Sequence, residues 1–427
     1  MKSTAPKAVR IVPPGKPLVG AARPPGSKSI TNRALLLAAL SKGESRLTGA
    51  LKSDDTRYMA EALRKMGVGI KEPAEDEFIV RGVDGSLKAP REPLFIGNAG
   101  TAIRFLTAAA ALADGPVTLD GDEHMRKRPI GPLIQALNAL KVSADAQDDH
   151  PPVTVRPRGD FRGGRVEIDA NLSSQYVSAL LMLGACGSSL TEVALSRSKG
   201  GLIGARGYVE LTLAVMHDFG ARAEANHDDT AWRVAPGGYR ATNYTVEPDA
   251  SAATYLWAAE ALTGGRIDIG YPTRKFSQPD AGSAKLIGRF PHMPPMIEGS
   301  QMQDAVPTLA VLAAFNTRPV RFTGIANLRV KECDRISALA TELNRIRPGL
   351  AREDGDDLIV MGDPALAGTS HPARIETYSD HRIAMAFALA GLLIEGIVIL
   401  DPGCTAKTWP EYWDVLAGLG VELAWED

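Results

Sequence analysis

The sequence predicts an α/β protein built from repeated units that are shared between two domains. Its 427 residues are too many for one ordinary hydrophobic core, so length alone favours two domains or a repeated architecture. Segments of helical apolar periodicity end at a small residue and pass into short alternating stretches, which is typical of a helix followed by a strand or hairpin. The pattern recurs at intervals of about seventy residues, as in a repeat protein.

Five units follow this pattern clearly. In the first, Ser53 predicts a helix N-terminus, Met59, Leu63 and Met66 recur at helical spacing, and Gly67 ends the helix. The other four show the same helix endings at residues 137–140, 215–219, 343–346 and 415–419. Each unit is therefore predicted to contain a helix followed by a strand or hairpin.

A sixth unit is expected around residues 286–288, where three prolines at positions 291–295 interrupt any strand. We therefore predict six related units, three per domain, with the fourth truncated. Turn residues at 24–26 and 246–248 mark the domain limits. They predict a discontinuous domain of residues 1–25 plus 248–427, and a domain of residues 26–247 inserted into it.

Composition excludes several classes of partner. Lys and Arg number 48 and Asp and Glu 50, so a net charge of −2 offers no broad attraction to nucleic acid or to an anionic membrane. The three cysteines, Cys186, Cys333 and Cys404, form no CxxC pair and favour a reduced compartment. The first ten residues lack the apolar core of a secretory signal, and the apolar run 383–394 is too short to span a bilayer. These features predict a cytoplasmic protein.

Several helix starts are rich in Gly, Ser, Thr or Asn, and most of them also carry Lys or Arg, at a place where free N–H groups and the helix dipole favour anions. In the inserted domain these segments are GSKSITNR (26–33), GNAGT (97–101), RKRPIG (126–131) and SSQ (173–175). We place Pro129 in the first turn of the helix that follows it. Taken alone, the two basic segments are also compatible with a capped helix or a turn that carries solvated charges, and GNAGT and SSQ are also compatible with ordinary helix capping.

The second domain carries three more such segments. They are NLRVKECDR (327–335), SDHR (379–382) and DPGCTAK (401–407). If residues 331–335 are helical, Lys331 and Arg335 share one face. An ion-paired surface helix is the alternative for this stretch, and a structural role is the alternative for His381.

Together the motifs GSKS-ITNRA, GNAGTAIR, RPIG, SSQ, RVKECDR, YSDHRIAM and DPGCTAKT closely resemble the 5-enolpyruvylshikimate-3-phosphate synthase family, also called 3-phosphoshikimate 1-carboxyvinyltransferases. The resemblance runs from about Gly26 to about Trp413 and follows the family's order and spacing. It implies a two-domain inside-out α/β barrel built from six βαβαββ-type repeats, three per domain. It also implies transfer of the enolpyruvyl group of phosphoenolpyruvate to the 5-hydroxyl of shikimate 3-phosphate, in aromatic amino-acid biosynthesis, by a cytoplasmic monomer.

The resemblance implies roles for individual residues. Those expected to hold shikimate 3-phosphate are Lys28, Ser29, Arg33, Ser173, Ser174, Gln175, Tyr208, Asp304, Asn327 and Lys331. Those expected to hold phosphoenolpyruvate are Lys28, Gly100, Arg128, Gln175, Arg335, His381, Arg382 and Lys407. The implied catalytic residues are Asp304, which accepts the 5-hydroxyl proton, Glu332, which protonates the methylene carbon, and Lys28.

The chemistry accounts for this residue selection. The two substrates bring about five to six negative charges. The candidate cations that offset this load are Lys28, Arg33, Arg128, Lys331, Arg335, Arg382 and Lys407. Proton transfer and positioning suffice for addition and elimination, so no metal or other cofactor is expected, and the partners are small molecules rather than nucleic acid or membrane.

The sequence departs from the family pattern in two places, and two alternative functions remain open. The family usually has a Ser where this chain has Ala205, and the segment 277–304 is shorter than usual.

One alternative function is a UDP-N-acetylglucosamine enolpyruvyl transferase, which normally carries a reactive loop cysteine. The other is a non-catalytic phosphometabolite-binding protein. Gly100 leaves room for glyphosate, which competes with phosphoenolpyruvate in the family.

Overall fold

The chain divides into two compact units. The computed structural model describes residues 6–427, with Lys199 described by its backbone alone, so residues 1–5 lie outside the described part. We call Gly26–Glu247 the inserted unit, and Met1–Pro25 with Pro248–Asp427 the split unit. The first two strands, β1 (Ala8–Val12) and β2 (Val19–Ala21), belong to the split unit.

The inserted unit contains alternating buried and half-buried helices. They are α1 (Lys28–Leu40), α2 (Asp54–Lys65), α3 (Gly100–Ala109), α4 (Gly131–Ala139), α5 (Gln175–Gly184) and α6 (Gly207–Asp218). In α1, α3 and α5 almost every residue is buried, as expected for Ala- and Leu-rich helices without a polar face. In α2, α4 and α6 only about half of the residues are buried.

Three sheets surround these helices. Their strands are β3 (Ser41–Thr48), β4 (Gly69–Ala74), β5 (Glu77–Val83), β6 (Leu94–Phe95), β7 (Val117–Asp120), β8 (Ser143–Gln147), β9 (His150–Arg156), β10 (Gly164–Ile168), β11 (Thr191–Leu195), β12 (Ala223–Ala225), β13 (Ala231–Val234), β14 (Tyr239–Arg240) and β15 (Asn243–Thr245). The strand orders are β14-β3-β5-β4, with β15 also on β3, then β6-β7-β9-β8 and β10-β11-β13-β12. In each sheet parallel pairing at one edge is followed by antiparallel pairs, for example parallel β10–β11 and antiparallel β11–β13, which defines a βαβαββ repeat. In the first sheet β14 and β15 share the parallel edge on β3.

The split unit follows the same plan. Its helices are α7 (Ala250–Thr263), α8 (Ser283–Ile287), α9 (Val306–Ala313), α10 (Arg335–Ile346), α11 (His381–Ala390) and α12 (Tyr412–Gly418). Its later strands are β16 (Arg266–Asp268), β17 (Met296–Glu298), β18 (Val320–Thr323), β19 (Ala351–Asp354), β20 (Asp357–Val360), β21 (Ser370–Ile375), β22 (Glu395–Leu400) and β23 (Glu422–Glu426). Two sheets have the orders β17-β18-β20-β19 and β21-β22-β1-β23, so β1 completes the last repeat from the other end of the chain.

The fourth repeat is truncated, as predicted. Within residues 6–427 its sheet consists of β16 and β2 alone, and α8 has only five residues. The returning hairpin found in the other repeats is missing from this sheet, in the part of the chain where Pro291, Pro294 and Pro295 lie. Proline lacks the N–H group that a central strand must donate, which explains the loss.

Each unit has its own apolar core, and helices α1, α3 and α5 or α7, α9 and α11 form the centre of it. Because the sheets lie outside the helices, the predicted inside-out arrangement is confirmed. No helix among residues 6–427 is long and apolar enough to cross a membrane.

Two local predictions are wrong. Helix α4 begins at Gly131, with Pro132 in its first turn, so Pro129 lies before the helix rather than in it. Lys331 follows a 3-10 helix (Ala326–Val330) with a non-helical ψ of −145°, and α10 starts at Arg335. Lys331 and Arg335 therefore share no helical face, because the chain turns between them.

Candidate functional site

The three buried helices of the inserted unit begin at the same end of that unit. The guanidinium of Arg33, in the second turn of α1, lies 5.1 Å from the ring centre of Phe105 in the second turn of α3. The same group lies 3.4 Å from the Ser178 hydroxyl in the first turn of α5. Their N-termini, which carry Lys28, Gly100 and Gln175, therefore face the same side, where the helix dipoles favour an anion.

Lys28 is the first residue of α1, because Ser27 caps the helix by accepting a hydrogen bond from the Ile30 N–H. Its side chain is buried, and its Nζ lies 3.7 Å from a carboxylate oxygen of Asp55. Ser29 follows, and its carbonyl oxygen accepts a hydrogen bond from Arg33. The segment Gly26–Ser29 thus both caps α1 and positions a buried cation at its start.

Arg33 is a buried cation whose acceptors are all neutral among the described residues. It donates to the Thr212 hydroxyl at 2.8 Å, the Ser178 hydroxyl, and the carbonyl oxygens of Ser29 and Tyr208. Burial lowers the pKa of Arg33 to about 10, so it stays protonated at neutral pH. Four of its five N–H groups are engaged, which leaves one for a ligand.

Gly100 and Arg128 pack directly against each other. A Cβ added at Gly100 would lie 2.6 Å from Nη1 of Arg128, so the guanidinium occupies the space that a side chain would fill. Nη1 of Arg128 donates to the Asn98 side-chain oxygen at 3.2 Å. Only glycine allows Arg128 to lie this close to the start of α3.

Gln175 is fixed by α3. Its amide donates to the Thr101 hydroxyl at 3.1 Å and accepts a hydrogen bond from Arg104 at 2.7 Å, while its backbone N–H donates to the Ser173 hydroxyl. Ser174 is buried beside it at the N-cap. The sequence prediction gave no role to Arg104, although its position one turn after Gly100 in the GNAGTAIR motif was a usable signal.

Tyr208 lies at the start of α6. Its ring centre is 5.9 Å from the Arg33 guanidinium, and its carbonyl accepts hydrogen bonds from Arg33 and Thr212. Ala205 nearby is buried with a φ of 54°, a left-handed conformation that is uncommon for alanine. The side chain of Ala205 offers no hydroxyl to a phosphate.

The buried helices of the split unit also begin at a common end of their unit. The hydroxyls of Thr254 in α7 and Thr308 in α9 are 2.9 Å apart. Arg382, in the first turn of α11, donates to the Asp304 carboxylate just before α9 at 2.7 Å. The N-termini of α7, α9 and α11 therefore lie on one side.

Arg335 is the centre of an ion-pair cluster at these helix starts. It is almost fully buried and binds Asp304 at 3.0 Å, Glu332 at 2.7 Å and Asp380 at 2.7 Å. Although burial disfavours its charge, the carboxylates raise the pKa of Arg335 well above the usual value. Asp380 was missed as a site residue, yet its place before His381 is that of an N-cap, and it caps α11 by accepting from the Arg382 N–H.

Two further cations complete this cluster. Arg382 binds Asp304, and Lys407 Nζ lies 2.8 Å from Glu332. Burial disfavours the charge of Arg382, but Asp304 raises its pKa. The cluster thus contains three carboxylates and three cations, and the predicted proton-transfer residues are both held by cations.

The other predicted residues of the split unit lie in nearby segments. His381 is buried, with Nδ1 3.6 Å from Asp380, and Asn327 is buried in the 3-10 helix that precedes Lys331. The Sγ atom of Cys333 lies 3.6 Å from a carboxylate oxygen of Asp380. Among residues 6–427, no group of three or more His, Cys, Asp or Glu side chains is placed to hold a metal ion.

The fold is similar to that of enolpyruvyl transferases of known structure. It matches EPSP synthase from Acinetobacter baumannii with a TM-score of 0.75 and 24% identity, over 98% of this chain and 100% of that one. It matches the enolpyruvyl transferase NikO from Streptomyces tendae with a TM-score of 0.72 and 18% identity, over 99% of both chains. At such identities the likeness shows the fold alone.

The sequence defines the family. The profile of the EPSP synthase (3-phosphoshikimate 1-carboxyvinyltransferase) family matches residues 12–290 and 291–416. Two relatives named 3-phosphoshikimate 1-carboxyvinyltransferase are similar over nearly their whole length. The one from Rhizobium leguminosarum bv. trifolii is 66% identical, covering 96% of this chain and 97% of the relative, and the one from Pseudomonas syringae pv. syringae is 63% identical, covering 97% and 98%. The chain belongs to the EPSP synthase family.

Proposed function

We propose that this chain transfers the enolpyruvyl group of phosphoenolpyruvate to the 5-hydroxyl of shikimate 3-phosphate and releases phosphate. The main support is its similarity to relatives of that name, at 63–66% identity over nearly the full chain. The two helix-start clusters support the same reaction. One presents buried cations with few acids, which suits phosphates, and the other combines cations with carboxylates, which suits proton transfer.

The inserted unit supplies most of the contacts proposed for shikimate 3-phosphate. They come from Lys28, Ser29, Ser173, Ser174, Gln175 and Tyr208, together with Arg33. Because four of the five Arg33 N–H groups are already engaged, we assign Arg33 mainly the positive charge and the support of Ser29. From the split unit we assign Asn327, Lys331 and the base Asp304 to the same substrate.

Phosphoenolpyruvate is the substrate we assign to the remaining cations. They are Lys28, Arg128, Arg335, Arg382 and Lys407, assisted by Gly100, Gln175 and His381. The planar guanidinium groups of Arg128, Arg335 and Arg382 suit bidentate contacts with a carboxylate or a phosphate. Lys28 and Lys407 act as point charges.

The reaction needs two proton transfers at carbon and one at oxygen. The methylene carbon gains a proton, the 5-hydroxyl oxygen attacks the adjacent carbon, and Asp304 takes the hydroxyl proton. Loss of phosphate and of a methyl proton then restores the double bond. Glu332 can carry the carbon proton only when an anionic substrate competes for Arg335 and Lys407, because those two cations favour its ionised form.

The test is phosphate release from phosphoenolpyruvate mixed with shikimate 3-phosphate, without added metal. Parallel reactions contain UDP-N-acetylglucosamine as the acceptor instead. We expect release with shikimate 3-phosphate alone. Activity with only the nucleotide sugar would identify the alternative transferase, and tight binding of both substrates without release would identify a non-catalytic binding protein.

We also propose that the enzyme acts in the cytoplasm as a monomer on these two small molecules. The near-neutral net charge of −2 supports small-molecule rather than polyanionic partners. Light scattering coupled to size-exclusion chromatography tests the oligomeric state. A mass of twice 45.3 kDa would show a dimer instead.

A further inference from the structure

The turn that precedes helix α11 contains two adjacent residues in a conformation that non-glycine residues seldom adopt. Tyr378 has a φ of 55° and Ser379 a φ of 53°. A bulky residue in the left-handed region costs free energy, and such residues persist only where surrounding contacts hold them. The contacts that hold this turn come from helix α10.

Glu342 holds it from helix α10. The Glu342 carboxylate is fully buried, accepts a hydrogen bond from the Tyr378 hydroxyl at 2.8 Å, and accepts a second from the Glu376 N–H at 3.1 Å. Its other partner is the partly exposed Arg345, at 2.7 Å. A buried carboxylate is costly unless it is well paired, so this one is suited to fixing a specific geometry rather than to adding stability.

The turn leads directly into the ion-pair cluster. Asp380 follows Ser379, and its backbone N–H donates to the Thr377 carbonyl at 2.8 Å. The Asp380 carboxylate then binds Arg335 at 2.7 Å and accepts from the Arg382 N–H at 2.8 Å. Because Arg335 and Glu342 lie on one helix, α10 contacts this segment at both Tyr378 and Asp380.

We propose that Glu342 is a positioning residue for phosphoenolpyruvate binding. Through the Tyr378 hydroxyl it holds the left-handed turn that fixes the position of Asp380. The Asp380 carboxylate in turn fixes the positions of Arg335 and Arg382. The role rests on the proposed function, which assigns those two arginines to phosphoenolpyruvate. Neither Glu342 nor Tyr378 needs to touch a substrate for this role.

The first experiment compares Tyr378→Phe and Glu342→Gln with Tyr412→Phe. Tyr412 is a matched control, because its buried hydroxyl donates at 2.8 Å to the Met385 carbonyl inside α11 rather than to a residue of the turn. We expect Tyr378→Phe and Glu342→Gln to raise the KM for phosphoenolpyruvate about five- to tenfold, with the KM for shikimate 3-phosphate within about twofold of wild type. Tyr412→Phe should lower the melting temperature and leave both KM values unchanged.

The second experiment tests the strain directly. Ser379 is exposed, and glycine adopts positive φ without steric cost. Adding Ser379→Gly to Glu342→Gln should therefore recover much of the lost affinity for phosphoenolpyruvate. A purely structural role for Glu342 predicts no such recovery.

The outcomes separate this inference from the proposed function. A wild-type chain that releases no phosphate overturns the function, and the inference is then judged by the rise in melting temperature on adding phosphoenolpyruvate with shikimate 3-phosphate. A Tyr378→Phe variant with the wild-type KM, or the wild-type melting shift, overturns the inference. Because Tyr378→Phe removes only one hydroxyl, it keeps the test open if Glu342→Gln fails to fold.

Discussion

The helix starts of the two units carry positive charge in different ways. In the inserted unit, Arg33 is buried among neutral oxygens within the described residues, and burial lowers its pKa to about 10. In the split unit, Arg335, Arg382 and Lys407 each contact a carboxylate, and the pKa values of both arginines are raised. The first cluster thus carries one buried arginine without a carboxylate partner among the described residues, although its Lys28 lies 3.7 Å from Asp55, whereas the three cations of the second all contact carboxylates.

The difference matches two chemical tasks. A phosphate has to replace its water shell with fixed cations, and an uncompensated buried guanidinium gains most from such a ligand. Proton transfer requires carboxylates near the reacting atoms, and their charge must be compensated while the site is empty. One repeated fold therefore supports anion binding in one unit and acid–base chemistry in the other.

The largest expected effect comes from removing the proposed base. Asp304→Asn keeps the shape of the side chain but cannot accept the hydroxyl proton, so we expect kcat to fall about 10²- to 10⁴-fold in the phosphate-release assay. The control is Asp363→Asn, which alters another carboxylate–arginine pair, 2.8 Å from Arg347. Wild-type kcat in Asp304→Asn would remove Asp304 from the reaction.

A smaller effect is expected from removing the charge of Arg33 in the inserted unit. Arg33→Met removes the buried charge, and we expect the KM for shikimate 3-phosphate to rise about 10- to 100-fold, since charge-assisted hydrogen bonds contribute about 1.5 to 3 kcal/mol. Arg33→Lys keeps the charge and should lose less. If the Met variant binds as tightly as the Lys variant, the uncompensated charge is not what attracts the phosphate.

Crowding Arg128 should have a more limited effect. In Gly100→Ala the new Cβ would meet Nη1 of Arg128 at 2.6 Å, so the guanidinium must move. We expect the KM for phosphoenolpyruvate to rise about tenfold while the KM for shikimate 3-phosphate stays near wild type. Gly418→Ala is the control, because a Cβ there meets no atom within 4 Å. Equal effects on both substrates would argue against a specific role for Arg128.

The smallest effect is expected from chemical modification of the three thiols. Burial first, and then Asp84, raise the pKa of Cys186 to about 12, and burial likewise raises the pKa values of Cys333 and Cys404. The thiolate is the reactive form, and its fraction rises as the pH approaches the raised pKa. Alkylation of the folded chain at pH 8 should therefore be at least about tenfold slower than alkylation of the unfolded chain, and it should be faster at pH 10 than at pH 8. Rapid labelling of the folded chain at pH 8, with loss of activity, would favour a transferase with a reactive cysteine.

The sequence predicted those features whose signals are local. Helical periodicity and capping residues are read from neighbours a few positions apart, and they located the helices, the six repeats and the truncated fourth. The errors arose where two local signals compete. Pro129 and Pro132 both suit a first helical turn, and the chain uses Pro132. Charges at Lys331 and Arg335 fit helical spacing, but the chain breaks between them.

The sequence by itself determined which residue types stand at the helix starts, and its motifs determined the family. Only the tertiary structure decided how those charges are paired. Arg33 meets Thr212 across 179 positions and Arg335 meets Asp380 across 45, while Glu342 reaches Tyr378 across 36. The physical reason is that the state of a buried charge depends on its surrounding dielectric and its nearest partners, and packing brings those partners from distant parts of the chain.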